Sequence, residues 1–167
     1  RKGLFETLDA LELIYDKDFL FYICGKKGDG LKSLMDKVNL LKIRNKVKII
    51  TDITEDDKYK LLRSTQLYLQ PSYCEGLGNA VIEAMAFGCI PLVSRYTAQP
   101  EIVSNFGFII NEINPVQISE KILTYMNYSE KKKVECYISV LDYTHKQFSF
   151  NKHVIELKNV FNKLEKT

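Results

Sequence analysis

Two glutamates stand out in the stretch "QPSYCEGLGNAVIEAMAFG", which covers residues 70–88. Glu75 opens a Gly-x-Gly turn, and Glu83 is the single polar residue between residues 80 and 87. An unpaired charge in a buried helix is costly, so Glu83 needs either a strong partner or an opening to a cleft. Ionised carboxylates accept two hydrogen bonds at once, which suits sugar hydroxyls. The spacing alone leaves ligand contact and a structural salt bridge equally open.

The segment around these carboxylates has the features of an anion-binding turn. "LYLQPS" is typical of a strand, and it is followed by the loop "YCEGLG" and the helix-forming "NAVIEAMAFG". Gly76 and Gly78 let backbone amides approach a ligand closely. The free N–H groups and the dipole of a helix N-terminus favour a phosphate. A capping box does not explain Glu83, because Asn79 as N-cap would require its carboxylate partner at Ile82.

The elements that would position this turn alternate between strand-like and helix-like segments. Short apolar runs bounded by turn residues suit strands that are buried on both faces of a parallel sheet. Five such runs occur, at residues 19–25, 46–51, 66–72, 89–94 and 106–111. Helical periodicity is found at residues 3–16, 29–44 and 54–64, with Thr54 as an N-cap and Asp57 three residues later. This alternation predicts right-handed crossovers and a doubly wound sheet.

After residue 114 the pattern becomes helical, over residues 115–129, 130–147 and 150–166. The predicted fold is therefore an α/β domain with a Rossmann-like open parallel sheet, helices on both faces and a helical C-terminal tail. Ligands of such sheets bind at the carboxyl ends of the strands, where the Glu75 turn would lie. We treat residues 1–167 as one domain, and we note that the first helix has no strand leading into it.

Composition narrows the class of protein. Of 167 residues, 46% are hydrophobic and 27% are charged, which is ordinary for a soluble globular domain. The net charge of +3 fits an anionic small ligand or membrane surface, but it is too small for a nucleic-acid binder. The four cysteines form no CxxC pair, which predicts reduced, structural thiols in a cytoplasmic protein. No apolar run is long enough to span a membrane.

The quoted stretch resembles the donor-binding half of retaining glycosyltransferases of the GT-B fold, family four, the glycosyl transferases group 1. The hallmark of that family is a pair of glutamates separated by seven residues, within P-S-x-x-E-G-x-G-x-x-x-x-E-A-M-A-x-G. The residues in register are Pro71, Ser72, Glu75, Gly76, Gly78, Glu83, Ala84, Met85, Ala86 and Gly88. Residues 2–3, Lys-Gly, match the pair that opens the first helix of that domain.

The resemblance implies a role for each matching residue. Glu75 would lie beside hydroxyls of the transferred sugar, and Glu83 would bind the ribose hydroxyls of the nucleotide. Lys2 would neutralise the leaving diphosphate, so Glu75 and Lys2 are the catalytic candidates. The backbone amides that face the sugar and the diphosphate are expected at Gly76, Leu77, Gly78 and Asn79. No metal and no cofactor is expected, because the helix dipole, these amides and Lys2 would stabilise the leaving group.

The resemblance also implies the whole reaction. The chain would be the donor-binding fragment of an enzyme that moves a sugar from a UDP- or GDP-sugar, with retention, in polysaccharide biosynthesis. A glycan or lipid-linked acceptor would be bound by an N-terminal domain that this chain lacks. The expected location is the cytoplasm, or the inner face of the membrane through peripheral association. The alternatives are a nucleotide-sugar binding module without transferase activity and a sugar-nucleotide epimerase of the same fold.

Three residues depart from the family pattern. Thr97 and Ala98 stand where Gly-Gly-x-Pro-Glu carries its glycines, so their side chains would narrow the approach to the donor. Asp52 follows the strand at residues 46–51, where the family usually has glycine. That loop commonly lies beside the base in the family, so the identity of the base stays open.

Overall fold

The five strands that the sequence predicts are present in the structure, a computed structural model that describes residues 2–76 and 78–149 together with residues 152, 154, 155 and 158. The strands are short, and each lies within the run of residues predicted for it. Their bounds are Phe21–Gly25 (β1), Val47–Thr51 (β2), Leu67–Gln70 (β3), Ile90–Ser94 (β4) and Phe108–Ile110 (β5).

The helices follow the predicted segments but are trimmed at their ends. They are Leu4–Leu13 (α1), Leu31–Leu40 (α2), Glu55–Ser64 (α3), Asn79–Ala86 (α4), Gln99–Val103 (α5), Pro115–Met126 (α6) and Glu130–Phe148 (α7). Helix α5 was not predicted, because five residues are too few to show a period. The predicted helix over residues 150–166 falls largely outside the described residues.

All strand pairs in the described chain are parallel, which confirms the Rossmann-like α/β class. β1 pairs with β2, β3 with β4, and β4 with β5. Among the described residues, these ladders form two groups, in the orders β1-β2 and β3-β4-β5. We call the space between β1 and β3 the strand gap. The predicted open sheet would pair all five strands in one series, whereas in the described chain β1 and β3 are not paired with each other.

Helices cover the strands on both faces. On one face α1, α2 and α6 pack around buried leucines, including Leu8 and Leu11. On the other face α4, α5 and α7 pack around Val81 and Met85, with α3 adjoining α4. β4 is buried throughout, as predicted for a strand covered on both sides, whereas β1 has exposed residues. The exposed residues of β1 lie where the strand gap begins.

The ends of the helices follow from local side-chain chemistry. The Thr54 hydroxyl accepts a hydrogen bond from the Asp57 N–H at the start of α3, as predicted. The N-cap of α4 is Gly78, with φ of 75°, and Asn79 is the first helical residue. At the other end of α4, Gly88 adopts φ of 83° and donates its N–H to the Met85 carbonyl, an arrangement that glycine favours.

Gly3 joins the start of α1 to the end of β3. Its φ is 66°, and a Cβ atom there would overlap the carbonyl oxygen of Pro71, the residue directly after β3. Only glycine combines this backbone conformation with so close an approach. Gly3 of the Lys-Gly pair is thus required by its close packing against Pro71.

Replacing Gly3 should therefore destabilise the domain. For Gly3→Ala we expect a loss of at least about 1–2 kcal/mol from the left-handed conformation, and a further loss from the overlap with Pro71. The matched control is Gly28→Ala, where an added Cβ meets nothing within 4 Å, so the free energy of unfolding should change little. Urea unfolding of both variants checks this. Equal stability of the two variants would contradict it.

Candidate functional site

The turn after β3 is anchored at the carboxyl edge of the strands. Ser72 is fully buried, and its hydroxyl donates a hydrogen bond to Glu75 Oε1 at 3.3 Å. The hydroxyl of Ser94, the last residue of β4, donates to the Ser72 carbonyl. Glu75 is thereby positioned by the ends of two neighbouring strands, at the edge where ligands of such sheets bind.

The two catalytic candidates meet across this edge. Lys2 Nζ lies 2.9 Å from Glu75 Oε1, and the Lys2 side chain is 62% exposed whereas that of Glu75 is 14% exposed. An ion pair with one exposed partner contributes little to stability. The ion pair places an exposed ammonium group beside the turn that leads into α4, and its carboxylate partner is also held by Ser72.

Glu83 forms a salt bridge and is also exposed to a cavity, so the structure is compatible with both a structural role and ligand contact. Its Oε1 lies 2.8 Å from Lys58 Nζ on α3, and the same ammonium lies 2.8 Å from Glu55 Oε2. The hydrogen bonds that Lys58 donates to Glu55 and Glu83 raise the pKa of Lys58, which keeps it charged. The Glu83 side chain is nevertheless 31% exposed. Glu83, Lys58 and Lys2 all line one cavity of about 940 Å³.

The N-terminus of α4 is open to a ligand. A Cβ on Gly76 would meet no atom within 4 Å, so space is available beside its backbone. Gly78 is buried and Asn79 is exposed. Leu77, the remaining predicted contact, lies outside the described residues. A helix N-terminus with a nearby lysine is suited to hold a phosphate group.

Gln99, the first residue of α5, is a feature that the sequence analysis missed. It is fully buried, and neither polar atom of its carboxamide has a hydrogen-bond partner within the described chain. A Cβ on Gly78 would lie 3.2 Å from Gln99 Cγ, so this amide sits against the N-cap of α4. Buried amides without partners are rare and costly. Nothing in the sequence marked Gln99, although it precedes the Pro100-Glu101 pair of the family pattern.

Two other buried groups are poor candidates for chemistry. Burial, with Glu83 and Glu75 adding to it, raises the pKa of Tyr68 to about 12, and its hydroxyl donates to Gln70 Oε1 at 2.9 Å. Burial also raises the pKa of the Cys89 thiol to about 12. Both groups stay protonated at neutral pH, so the reactive charges of the site are those of the lysines and glutamates.

Asp52 shows how the chain accommodates its departure from the family pattern. Its φ is 55°, a left-handed conformation that glycine adopts more easily. Its N–H donates to the Gly25 carbonyl at 2.9 Å, which joins the loops after β2 and β1. In the described part of the chain, no group of three or more potential metal ligands is found, and no helix is long and apolar enough to cross a membrane.

Parallel strands between two helical layers, with an anion-binding turn at their carboxyl edge, define a Rossmann-like α/β domain. A sequence model described as "Glycosyl transferases group 1" matches residues 1–137. The chain belongs to that family.

Two of the similar proteins are named as a sucrose synthase and a mannosyltransferase. The chain is 26% identical over 106 residues to the sucrose synthase of Melioribacter roseus, covering 59% of the chain and 13% of that protein. It is 28% identical over 109 residues to the GDP-mannose:cellobiosyl-diphosphopolyprenol alpha-mannosyltransferase of Xanthomonas oryzae pv. oryzae, covering 64% of the chain and 29% of that enzyme. The chain thus spans less than a third of the length of either relative.

Solved structures show the same fold. The C-terminal domain of the glycosyl transferase group 1 protein LpcC from Francisella tularensis superposes with a TM-score of 0.78 at 22% identity, covering 89% of this chain and 80% of that one. Anabaena Alr3699/HepE in complex with UDP gives a TM-score of 0.79 at 19% identity, covering 95% of this chain and 45% of that one. The first of these structures is itself a C-terminal domain, and its likeness to this chain is one of fold.

The unpaired carboxamide of Gln99 leads to a stability prediction. Gln99→Met keeps the length of the side chain and removes an unsatisfied buried amide, so the ligand-free protein should gain about 1–3 kcal/mol. Gln70→Met is the matched control, because it removes the partner of the Tyr68 hydroxyl and should destabilise the protein. Thermal and urea unfolding without ligand measure both effects. Similar destabilisation by the two substitutions would mean that Gln99 is hydrogen-bonded in solution.

Proposed function

We propose that this chain is the donor-binding domain of a retaining glycosyltransferase, which moves a sugar from a nucleoside-diphosphate sugar to a glycan or lipid-linked acceptor. The observation that carries the proposal is the arrangement of Lys2, Glu75 and Glu83 around the N-terminus of α4. Family membership supports sugar transfer. A donor with a nucleoside diphosphate is supported by the named GDP-mannose relative and by the UDP complex of a structural neighbour.

The proposed donor lies across the start of α4. Its diphosphate faces the amides of the Gly76–Asn79 turn, where the helix dipole and Lys2 compensate its charge. Breaking the bond between sugar and phosphate increases the negative charge on the leaving diphosphate. A cation and N–H groups that are already in place stabilise that charge without reorganisation. The role of Lys2 is therefore assigned to the departure of the nucleotide, and no metal ion is assigned to this step.

Glu75 and Glu83 are assigned to opposite ends of the donor. Glu75 precedes the Gly-x-Gly turn and is held by Ser72 and Lys2, so it is assigned to hydroxyls of the sugar. Glu83 lies one turn inside α4 and is assigned to the ribose. Because Lys58 already binds one oxygen of Glu83, the ribose is recognised by a carboxylate whose position is fixed before the ligand arrives.

Gln99 is a third polar group available to the donor. Its carboxamide lies against Gly78, and a small shift of the turn would let it donate to a phosphate or accept from a backbone N–H. The lack of a hydrogen-bond partner for this amide among the described residues supports a role that is completed only when ligand is bound.

Peripheral membrane association receives little support from the basic stretch at residues 130–133. Lys133 is paired with Glu130 at 2.8 Å, and Lys132 lies 3.8 Å from Glu135. These carboxylates offset part of the positive charge that would attract an anionic surface. We therefore propose a cytoplasmic enzyme, and we assign attachment to lipid, if any, to its acceptor.

Binding of ribose by Glu83 predicts a specific loss of affinity. Glu83→Gln should weaken UDP or GDP binding by roughly 10- to 150-fold, because each hydrogen bond to a charged group contributes about 1.5–3 kcal/mol. It should also remove the preference for the ribonucleotide over the 2′- and 3′-deoxy forms. Calorimetry with these nucleotides measures both effects.

The matched control for Glu83 is Glu55→Gln, which removes the other carboxylate bound to Lys58. Glu55 is 69% exposed, so nucleotide affinity should change less than about twofold if ribose is bound by Glu83 alone. Unchanged affinity of Glu83→Gln together with a large fall in melting temperature would show that Glu83 is only a structural partner of Lys58.

If Glu75 binds the sugar, its replacement should lower turnover and leave nucleotide affinity unchanged, which is the reverse of the effect expected for Glu83. In the full-length enzyme, Glu75→Gln should lower turnover at least about 100-fold if its contact strengthens in the transition state, while affinity for the free nucleoside diphosphate stays near normal. Steady-state kinetics with the intact donor and calorimetry with the nucleotide alone provide the two measurements. Loss of nucleotide binding in Glu75→Gln, with normal binding in Glu83→Gln, would reverse the two assignments.

A further inference from the structure

Two exposed tyrosines occupy neighbouring loops at the carboxyl edge of the strands. Tyr73 follows Ser72 in the loop after β3, and Tyr96 lies two residues after the end of β4. Their exposed fractions are 48% and 52%. The two loops are joined directly, because the Ser94 hydroxyl donates a hydrogen bond to the Ser72 carbonyl. Two large aromatic side chains are therefore presented to solvent close together, at the edge where ligands of such sheets bind.

The ring of Tyr73 is anchored through its hydroxyl. That hydroxyl donates a hydrogen bond to Glu6 Oε1 at 2.7 Å, and Glu6 lies in the first turn of α1. The hydrogen bond to Glu6 is the main cause that raises the pKa of Tyr73, and an interaction with Tyr96 adds to the rise. The two tyrosine hydroxyls are thus within electrostatic reach of each other. Tyr73 is a neutral aromatic ring whose polar end is held in place while its side chain stays exposed.

We define the tyrosine patch as Tyr73, Tyr96 and Glu6, and it adjoins the candidate site at Glu75. Tyr73 lies two residues before Glu75 in the same loop, and two residues of chain span at most about 7 Å. The same two segments make both contacts, since Lys2 pairs with Glu75 and Glu6 pairs with Tyr73. A ligand that contacts Glu75 can therefore continue onto the tyrosine patch without crossing another element.

The composition of the tyrosine patch suits a carbohydrate. One face of a sugar ring consists of C–H groups, and packing that face on an aromatic ring removes apolar surface from water. The hydroxyls around the sugar ring donate to carboxylates, and the hydrogen bond from Tyr73 uses only one of about four acceptor positions of ionised Glu6. The cores of protein–protein interfaces are depleted of Glu, and an anionic membrane repels carboxylates. Two tyrosines beside two glutamates therefore favour a glycan over a protein or a lipid surface.

We propose that the tyrosine patch is a carbohydrate-binding subsite for the acceptor, which holds one sugar unit of a glycan on Tyr73 and Tyr96 beside Glu75. This inference rests on the proposed function, because it takes Glu75 as the residue next to the transferred sugar. It goes beyond that function by assigning part of acceptor recognition to this domain. The acceptor unit that lies at the patch is a sugar, whether or not a lipid is attached further along the acceptor.

Saturation-transfer NMR on the full-length enzyme tests this subsite with defined probes. The probes are the methyl glycosides of glucose, galactose, mannose and N-acetylglucosamine, each measured with excess UDP and, separately, with excess GDP, so that the nucleotide part of the donor site is occupied. When the aromatic protons are irradiated, saturation should reach the C–H protons on one ring face of at least one glycoside.

The variants separate ring stacking from hydrogen bonding. Tyr73→Ala and Tyr96→Ala should each weaken glycoside binding about fivefold or more, because a contact with an aromatic ring is lost. Tyr73→Phe keeps the ring and should retain most of the binding. Tyr15→Ala is the matched control, because Tyr15 is 50% exposed and lies beyond the far end of α1, so glycoside binding should change less than about twofold. Calorimetry should show normal UDP or GDP affinity in every variant.

Three results would overturn the subsite and leave the proposed function intact. In the first, the enzyme binds UDP or GDP but no glycoside receives saturation. In the second, glycoside binding persists unchanged in both Tyr73→Ala and Tyr96→Ala, so the sugar binds elsewhere. In the third, Tyr73→Ala loses nucleotide affinity and Tyr96→Ala changes nothing, so Tyr73 only positions the turn before α4. An enzyme that binds neither nucleotide would overturn the proposed function and, with it, the assignment of the patch to an acceptor. If Tyr73→Ala does not fold, Tyr96→Ala measured against Tyr15→Ala decides.

Discussion

The backbone contact between Gly3 and Pro71 ties the start of α1 to the end of β3, and the chemistry at the carboxyl edge depends on it. The contact requires a residue without a side chain in a left-handed conformation. It places Lys2 within 2.9 Å of Glu75, a residue on a different element and 73 positions later in the chain. The pairing of cation and carboxylate is therefore set by backbone packing, and the ion pair itself adds little to it.

At the same edge, the carboxylate of Glu83 is paired with a lysine before any ligand binds. Lys58 binds both Glu55 and Glu83, so its ammonium satisfies Glu83 when no ligand is present. Glu83 remains partly exposed, which leaves acceptor capacity for hydroxyl groups of a ligand. The ion pair with Lys58 avoids the large cost of an unpaired buried carboxylate. It also leaves part of the hydrogen-bond acceptor capacity of Glu83 unused. A carboxylate held by one lysine is better oriented for binding than a freely rotating one.

The sequence predicted what depends on local patterns and missed what depends on contacts across the chain. The five strands were found because apolar runs and their bounding turn residues are local signals. The Lys58–Glu83 pair was missed because Lys58 is one of two lysines on a polar helix, and its partner lies 25 positions later. Gln99 was missed because burial, rather than residue type, makes it unusual. The separation of β1 from β3 was missed because local patterns show which residues form strands and not which strands pair.

The cavity that separates β1 from β3 also contains charged residues of the candidate site. Residues of β1 and β3 line its length, whereas Lys2, Lys58 and Glu83 lie toward the carboxyl ends of the strands. The apolar side chains that line the cavity lower the effective dielectric around the three charges, so their interactions with an anionic ligand are stronger there than in open water. The affinity of the site for such a ligand is therefore expected to depend on how completely the strands and helices around the cavity exclude water.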